Sequence, residues 1–562
     1  MKMQTPDKRF ASDTYPTQTF WINFIIKSYA RFRKTRASNA FSAIIVSIYN
    51  MPQMILLSDV NSVLYQLYET IMWNKLNKSM MFCQAMFGLS FYGVMVILTR
   101  FFLEDLGYSE ADTMMVVGAF SSIGPLFAIA GGFIADKFLG AYRSLTIAYG
   151  TFATGYTLLV LGASTTNVPM SLVGIALASY ARGLMSPSYP SLYKRTFSTE
   201  EDFENGYPVN YSVNNVGALL GQYLFPMFVL AIGFHGSFML SAVMAGFAFV
   251  TLVIFNKQLV GVGADIDKNS VSLKNWLSFF ALSAAMVGLV FFMFSNMDIG
   301  QNIVYAIGAA AILYFITLMI KSDKSDALKM GTILIMTVLT TCFFVYYGQM
   351  MTSMTMVTIN TMRGDLFNII PIAPEASMAM NPLWCIVAGP VIAMTFSSLE
   401  KKGINFSTAT KIGFAFIFTA IAFGILTMAV MNIGEDVVIR PEVFLAIHFF
   451  QAFAEVIVGS LVVAFILSVA PKHIEGFSVS LFSVAMALSG IVGAVFSTSI
   501  ALEKGQEITQ EIVQNVYGDY FQLLTVLAVV MVAIALISSV IIRKMLDAAR
   551  ADEQPELVEA ES

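Results

Sequence analysis

The chain is a succession of long apolar runs separated by short polar ones. A helix needs about 20 mostly apolar residues to cross a bilayer core. Runs of that kind stand at residues 80–102, 113–135, 144–163, 169–192, 209–230, 234–255, 276–296, 300–320, 330–358, 383–398, 407–431, 442–469, 477–501 and 518–542. The pattern predicts fourteen transmembrane helices in an all-α membrane protein. The polar stretch NKQLVGVGADIDKNS follows the sixth run, so the order reads six, two, six. This divides the chain into an extension (1–79), a six-helix bundle (80–256), a linker with two extra, peripheral helices (257–329), a second six-helix bundle (330–545) and a tail (546–562).

Charge gives the chain an orientation. With an even number of crossings both termini share a side, and lysine and arginine mark the cytoplasmic loops. Of 32 such residues, 17 lie in alternate loops and the C-terminal end and ten precede the first run, against four in the opposite loops, Arg100, Arg363, Arg440 and Lys504. Both termini are therefore expected in the cytoplasm, with the chain in a bacterial inner membrane. Arg182 is left as the one basic residue inside a run. In the extension, FWINFIIKSYARFRKTR (20–36) mixes aromatics with basic residues, as an interfacial helix, an anionic-lipid contact or a plain positive-inside flank would. The apolar stretch AFSAIIVSIYNMPQMILL (40–57) carries Asn50 and Pro52 and reads as interfacial; if it crossed, the crossings would number fifteen and the termini would part. No cleavable signal is visible in the first twenty residues, so the first crossing is expected to act as the signal.

Composition narrows the function classes. At 57% hydrophobic, 12% charged and a mean hydropathy of +0.72, the solvent is lipid. A net charge of -4 offers no basic surplus for phosphate, which excludes nucleic acid as a partner. Cys83, Cys342 and Cys385 lie in or beside apolar runs and read as packing residues, with neither a disulfide framework nor a zinc site. His235, His448 and His473 are scattered. No catalytic constellation, metal or cofactor is expected, and the protein does not read as an enzyme.

Six-plus-six halves are the pattern of major facilitator transporters, whose solute site lies between the bundles near the membrane midplane. Motifs then specify the kind. GGFIADKFLGAYRSLTI (131–147) contains Gly131, Gly132, Asp136, Gly140 and Arg143; its small residues let helices approach, and Asp136 and Arg143 are expected to pair across the turn. It resembles the signature GGxxADxxLGxxxTI of the proton-dependent oligopeptide transporter family. SFYG (90–93), NYSVNNVGALLG (210–221), FFVYYGQ ending at Gln349, the pair Asn381-Pro382, and AEVIVGS around Glu455 followed by APKHIEG fall in that family's order. The resemblance covers about residues 80–545.

It implies a solute site made by Tyr92, Asn215, Gln349, Asn381 and Glu455, with Glu455 and the asparagines taking a peptide's amino end. The sequence departs from the family at the other end. The ExxER motif tied to proton coupling reads Gln84, Phe87 and Gly88; a further arginine is replaced by Met95, a tyrosine by Pro125, the fourth-helix lysine by Ser186, and the seventh-helix acid by Gly348. Most missing groups are the cations that hold a carboxylate or the groups that move protons. Arg182 lies four residues before Ser186, hence on the same helical face, and is placed to replace the lysine by pairing with Glu455 in one state of the cycle. His448 and Gln451 share a face with Glu455 and form a candidate proton relay. The plainer alternatives are an interhelical ion pair for Glu455, polar glue for the asparagines and a hydrogen-bonded structural histidine.

The resemblance thus implies import of di- or tripeptides, or peptide-like amine-bearing solutes, by a monomer in the lipid bilayer, with protons as the coupled ion. A proton-independent facilitator or exchanger is the alternative within the class. A non-transporting sensor or partner-binding protein is the alternative outside it.

Overall fold

A computed structural model describes residues 74–553. The two N-terminal stretches read above as interfacial, and the end of the tail, lie outside the described residues. Fourteen helices carry the architecture. They are α1 (Lys75–Arg100), α2 (Glu110–Ile134), α3 (Ala141–Thr165), α4 (Val168–Lys194), α5 (Glu200–Ile254), α6 (Leu273–Ser295), α7 (Met297–Lys321), α8 (Lys324–Gly348), α9 (Ser353–Thr361), α10 (Met380–Lys401), α11 (Thr408–Met431), α12 (Pro441–Val469), α13 (Glu475–Ser497) and α14 (Asp519–Glu553). Many starts are set by a polar side chain that accepts from the orphan amides of the first turn. Asn74 caps α1, Ser109 α2, Asn167 α4, Thr199 α5, Ser272 α6, Asp323 α8 and Ser407 α11.

Thirteen stretches among the described residues are long and apolar enough to cross a membrane. One of them, Gly206–Ile254, runs 49 residues, roughly 73 Å at 1.5 Å per residue, more than twice the bilayer core. Its backbone breaks at Gly233, where φ is 71°. The contacts prove a reversal. Before the break, a Cβ on Gly88 would lie 2.6 Å from the Asn214 carbonyl and one on Gly93 would strike Phe225, so chain order runs parallel to α1. After the break, Ser241 bonds the Ser90 carbonyl and Cys83 the Ala248 carbonyl, in the opposite order. Read as a hairpin, α5 accounts for two of the predicted runs, 209–230 and 234–255.

The crossings pack as two groups, α1–α5 and α8–α14. Close approach within the first depends on glycine: Gly217 and Gly221 would meet the carbonyls of Ala85 and Leu89 if either carried a Cβ. Between the groups runs the extra pair. Its first arm, α6, docks on α4 through a Tyr180–Ser283 hydrogen bond. The second arm, α7, docks on α13, with Gly308 against Leu488 and Phe315 against Phe477. The arms meet at their tip, where Gly300 lies on Met293.

The groups join at one rim. Arg100, ending α1, pairs with Glu375 of a 3-10 turn (Pro374–Ala379) at 3.1 Å. Glu110 of α2 accepts from Leu502 N at 2.9 Å and from Asn360 of α9 at 3.4 Å. Tyr223 donates to the Pro371 carbonyl at 3.0 Å, in a hairpin of β1 (Asp365–Leu366) and β2 (Ile370–Pro371). Toward the opposite end of α5's first arm, Tyr207 and Tyr211 are exposed, and Gly459 of α12 has open space beside it.

Candidate functional site

The stretch of α1 where the charged motif was sought is filled by rings. Phe87 stacks on Phe91 at 5.2 Å and packs on Phe152 of α3 at 5.6 Å, while Phe91 stacks on Phe120 of α2 at 5.5 Å. Gly88 leaves room for the α5 backbone at Asn214. An aromatic cluster therefore occupies this stretch of α1.

Arg182 of α4 lies against this cluster. Its guanidinium carbon is 4.9 Å from the Phe91 ring centre, and Nη1 donates to the Ser121 carbonyl at 2.7 Å. Gly124 makes space for it; a Cβ there would lie 2.7 Å from Arg182 Cδ. On the other group, the Glu455 carboxyl of α12 is flanked by Asn381, Cys385 and Tyr347. The Cys385 thiol is 3.4 Å from Oε2 and 3.6 Å from Asn381 Oδ1. Asn381 Nδ2 is buried without a partner among the described residues. Arg182 and Glu455 form no ion pair in this conformation, yet Tyr92 of α1 and Tyr347 of α8 each lie within electrostatic reach of both. Tyr211 also stands near Glu455. Arg182 thus stands on the first group and Glu455 on the second, with Tyr92 and Tyr347 near both.

The POT family sequence model matches residues 141–512. The chain belongs to the POT family. It is a multi-pass membrane protein whose relatives are permeases rather than enzymes. It is 23% identical over 415 residues to dipeptide and tripeptide permease B of Salmonella typhimurium, covering 73% of this chain and 84% of that protein. Against the permease of the same name from Xenorhabdus bovienii it is 23% identical over 448 residues, covering 78% and 91%. A solved bacterial homologue of the human drug peptide transporters PepT1 and PepT2 superposes with a TM-score of 0.73 at 23% identity, covering 84% of this chain and 98% of that one. The tetrameric PepTSo2 structure gives 0.74 at the same identity and coverage. Both likenesses fix the fold, that of the major facilitator transporters.

Of the residues expected at the site, Tyr92, Asn381 and Glu455 come together, with Arg182 opposite. Asn215 is buried and donates to the Tyr211 carbonyl of its own helix at 3.1 Å, while its neighbour Asn214 stands beside Tyr92. Gln349 is wholly buried and fully engaged. It donates to the Val345 and Gly493 carbonyls and accepts from Ser353, Ser497 and Tyr520. These bonds staple the break between α8 and α9, where the predicted single run 330–358 is interrupted. His448 is buried on the Glu455 face of α12; its Nδ1 and Gln451 Oε1 have no partner among the described residues, and Gln451 Nε2 reaches Met354 Sδ at 3.2 Å.

The expected Asp136–Arg143 pair is not made. Asp136 is exposed, and Arg143 donates to the carbonyls of Leu139, Ile266 and Asn269 at 2.8–3.0 Å. The carbonyl end of the short helix Asp265–Lys268 draws the guanidinium away. Beside it, Asp267 is fully buried and accepts from Tyr142 N at 2.9 Å and Ala264 N at 3.1 Å, with Arg195 at 3.8 Å. Its carboxylate occupies the space of a Gly140 side chain, which accounts for glycine there at φ 87°. Gly131 lies on the Gly183 carbonyl, and Gly132 faces Pro187 at 3.8 Å. Asp267, Tyr347, Asn214 and Cys385 were missed from sequence. The linker acid sat outside every motif, and a cysteine in an apolar run reads as packing.

Proposed function

We propose that the protein imports di- or tripeptides, or peptide-like amine-bearing solutes, by alternating access between its two six-helix groups. The observation that carries this reading is Arg182 on the first group and Glu455 on the second, without an ion pair between them and with Tyr92 and Tyr347 near both. A zwitterionic peptide has the matching polarity: its ammonium meets Glu455, its first carbonyl the free Asn381 amide, and its carboxylate Arg182. An unpaired charge inside a membrane costs a few kcal/mol, so either the solute or a direct Arg182–Glu455 pair must neutralise the site when it closes. A solute bound more tightly in one state than the other then drives the cycle. With the basic loops inside, the joined rim is the outer face and the described conformation opens to the cytoplasm. We take 80–256 and 330–545 as the moving bodies and 257–329 as their linker. Gly131, Gly132, Asp136, Gly140 and Arg143 form the loop that guides the motion, and both termini lie in the cytoplasm of a bacterial inner-membrane protein.

Any coupled proton is carried by Glu455, with His448 as its relay, because arginine holds its proton throughout. A second reading, facilitation or exchange without protons, is favoured by the ring cluster around Phe87. Purified protein in liposomes carrying an internal pH reporter tests both. Dipeptide uptake is expected, with Glu455→Gln lowering it at least about tenfold, the effect of losing roughly 1.4 kcal/mol. Acidification of the lumen during uptake supports symport; uptake without it supports the second reading. No uptake of any peptide by protein that still binds peptides would overturn transport and leave a sensor.

A further inference from the structure

Arg182 is held by a carbonyl that a proline has set free. Pro125 lies inside α2, and proline has no amide hydrogen to donate to the carbonyl four residues earlier. That carbonyl belongs to Ser121, and it is the one Arg182 Nη1 binds at 2.7 Å. Proline also tilts the preceding turn outward, so the freed oxygen faces away from the helix axis. Three neighbours complete the berth: Gly124 gives the side chain room, Phe91 takes the guanidinium face, and Gly183, next to Arg182, packs on Phe127 of α2 and keeps the helices close. Among the described residues no acid holds the guanidinium. Only one of its five donor hydrogens is spent on the carbonyl, and Tyr92, Tyr156 and Tyr347 lie within electrostatic reach.

We infer that Pro125 is a positioning residue for Arg182: by freeing the Ser121 carbonyl it docks the guanidinium at the site wall and leaves its remaining donors for a substrate carboxylate. The inference rests on the reading of Arg182 as the carboxylate end of the site. It also joins two departures from the family pattern. A proline stands where a tyrosine is usual, and an arginine one turn away from a lost lysine.

Pro125→Ala restores the amide, which closes the helix bond to Ser121 and turns the carbonyl back along the axis. The readout is the preference for a dipeptide over the same dipeptide with an amidated C-terminus, taken from competition in uptake or from thermal shift. Wild type prefers the free carboxylate. Pro125→Ala is expected to lower that preference about tenfold, equivalent to roughly one charge-assisted hydrogen bond, while the affinity for the amidated peptide stays within about twofold. Gly124→Ala, which pushes on Arg182 Cδ, acts in the same direction and serves if the proline variant is poorly folded. Arg182→Gln removes the preference altogether. If Arg182→Gln removes it and both α2 variants keep it, the positioning role of Pro125 is wrong. If Arg182→Gln keeps it, the assignment of Arg182 to the carboxylate is wrong, whatever the α2 variants do.

Discussion

At the scale of single residues, chemistry was more legible than placement. Glu455 and Arg182 were visible because an ionised group in an apolar run demands a reason. Gln349 shows the converse: a motif named the residue, and in the structure its amide is fully bonded within its own group. Gln349→Leu would leave Ser353 and Tyr520 without their shared acceptor, while Ser497 keeps the Gly493 carbonyl. Each hydroxyl stranded in this way costs about 1–3 kcal/mol. The expected outcome is a fall of several degrees in melting temperature in detergent, with an unchanged KM for peptide in the fraction that folds. A raised KM at unchanged stability would return Gln349 to the solute site. The asparagines teach a related lesson. Adjacent positions on a helix differ by about 100°, and where the motif pointed to Asn215 it is Asn214 that lies beside Tyr92.

At the scale of elements, the crossings themselves were legible because twenty apolar residues have one stable form in lipid. Connections were less so. The linker after the sixth crossing read as a polar interruption, yet it carries the fully buried Asp267, which caps α3 and meets Arg195 at the end of α4. Nothing in a polar loop distinguishes an exposed aspartate from a buried one until the loop docks. The expected ion pair within the α2–α3 turn was replaced by bonds from that turn to the linker, which tie the turn to the root of the extra pair. Asp267→Ala strands the amides of Tyr142 and Ala264 and frees the linker. Maximal transport rate is expected to fall several-fold with peptide affinity nearly unchanged, since the proposed solute site lies elsewhere. Gly140→Ala, which drives a methyl into the same carboxylate at a positive φ, should match it, and the double variant should be no worse than either single one. Additive losses would mean that the two residues act separately.

At the scale of the whole molecule, the sequence implied two rocking halves but not which contacts hold them. Some are close packing of small residues inside helices, Gly118 and Ser122 of α2 on Ala494 and Gly490 of α13; the polar ones sit at the ends of helices, where residues are few and sequence patterns carry no register. Arg100–Glu375 is the one ion pair between described residues of the two groups, and the Glu375 side chain is 1% exposed. Breaking a buried pair by neutralising one member costs about 3–5 kcal/mol. A two-state equilibrium moves tenfold for every 1.4 kcal/mol. Glu375→Gln keeps the shape of the side chain and removes its charge, so it should weaken the joined rim and favour the state that opens there. Hydrogen exchange reads this directly. Amides of the β1–β2 hairpin and of the 3-10 turn that follows should lose protection in Glu375→Gln, while those in the middle of α3 and α11 keep it. Loss of protection everywhere would signal general destabilisation. Unchanged protection at the rim would mean that the bonds of Glu110 and Tyr223 hold it without the ion pair, and Arg100 would then be a local partner of Glu104, 2.7 Å away, and not a latch between the halves.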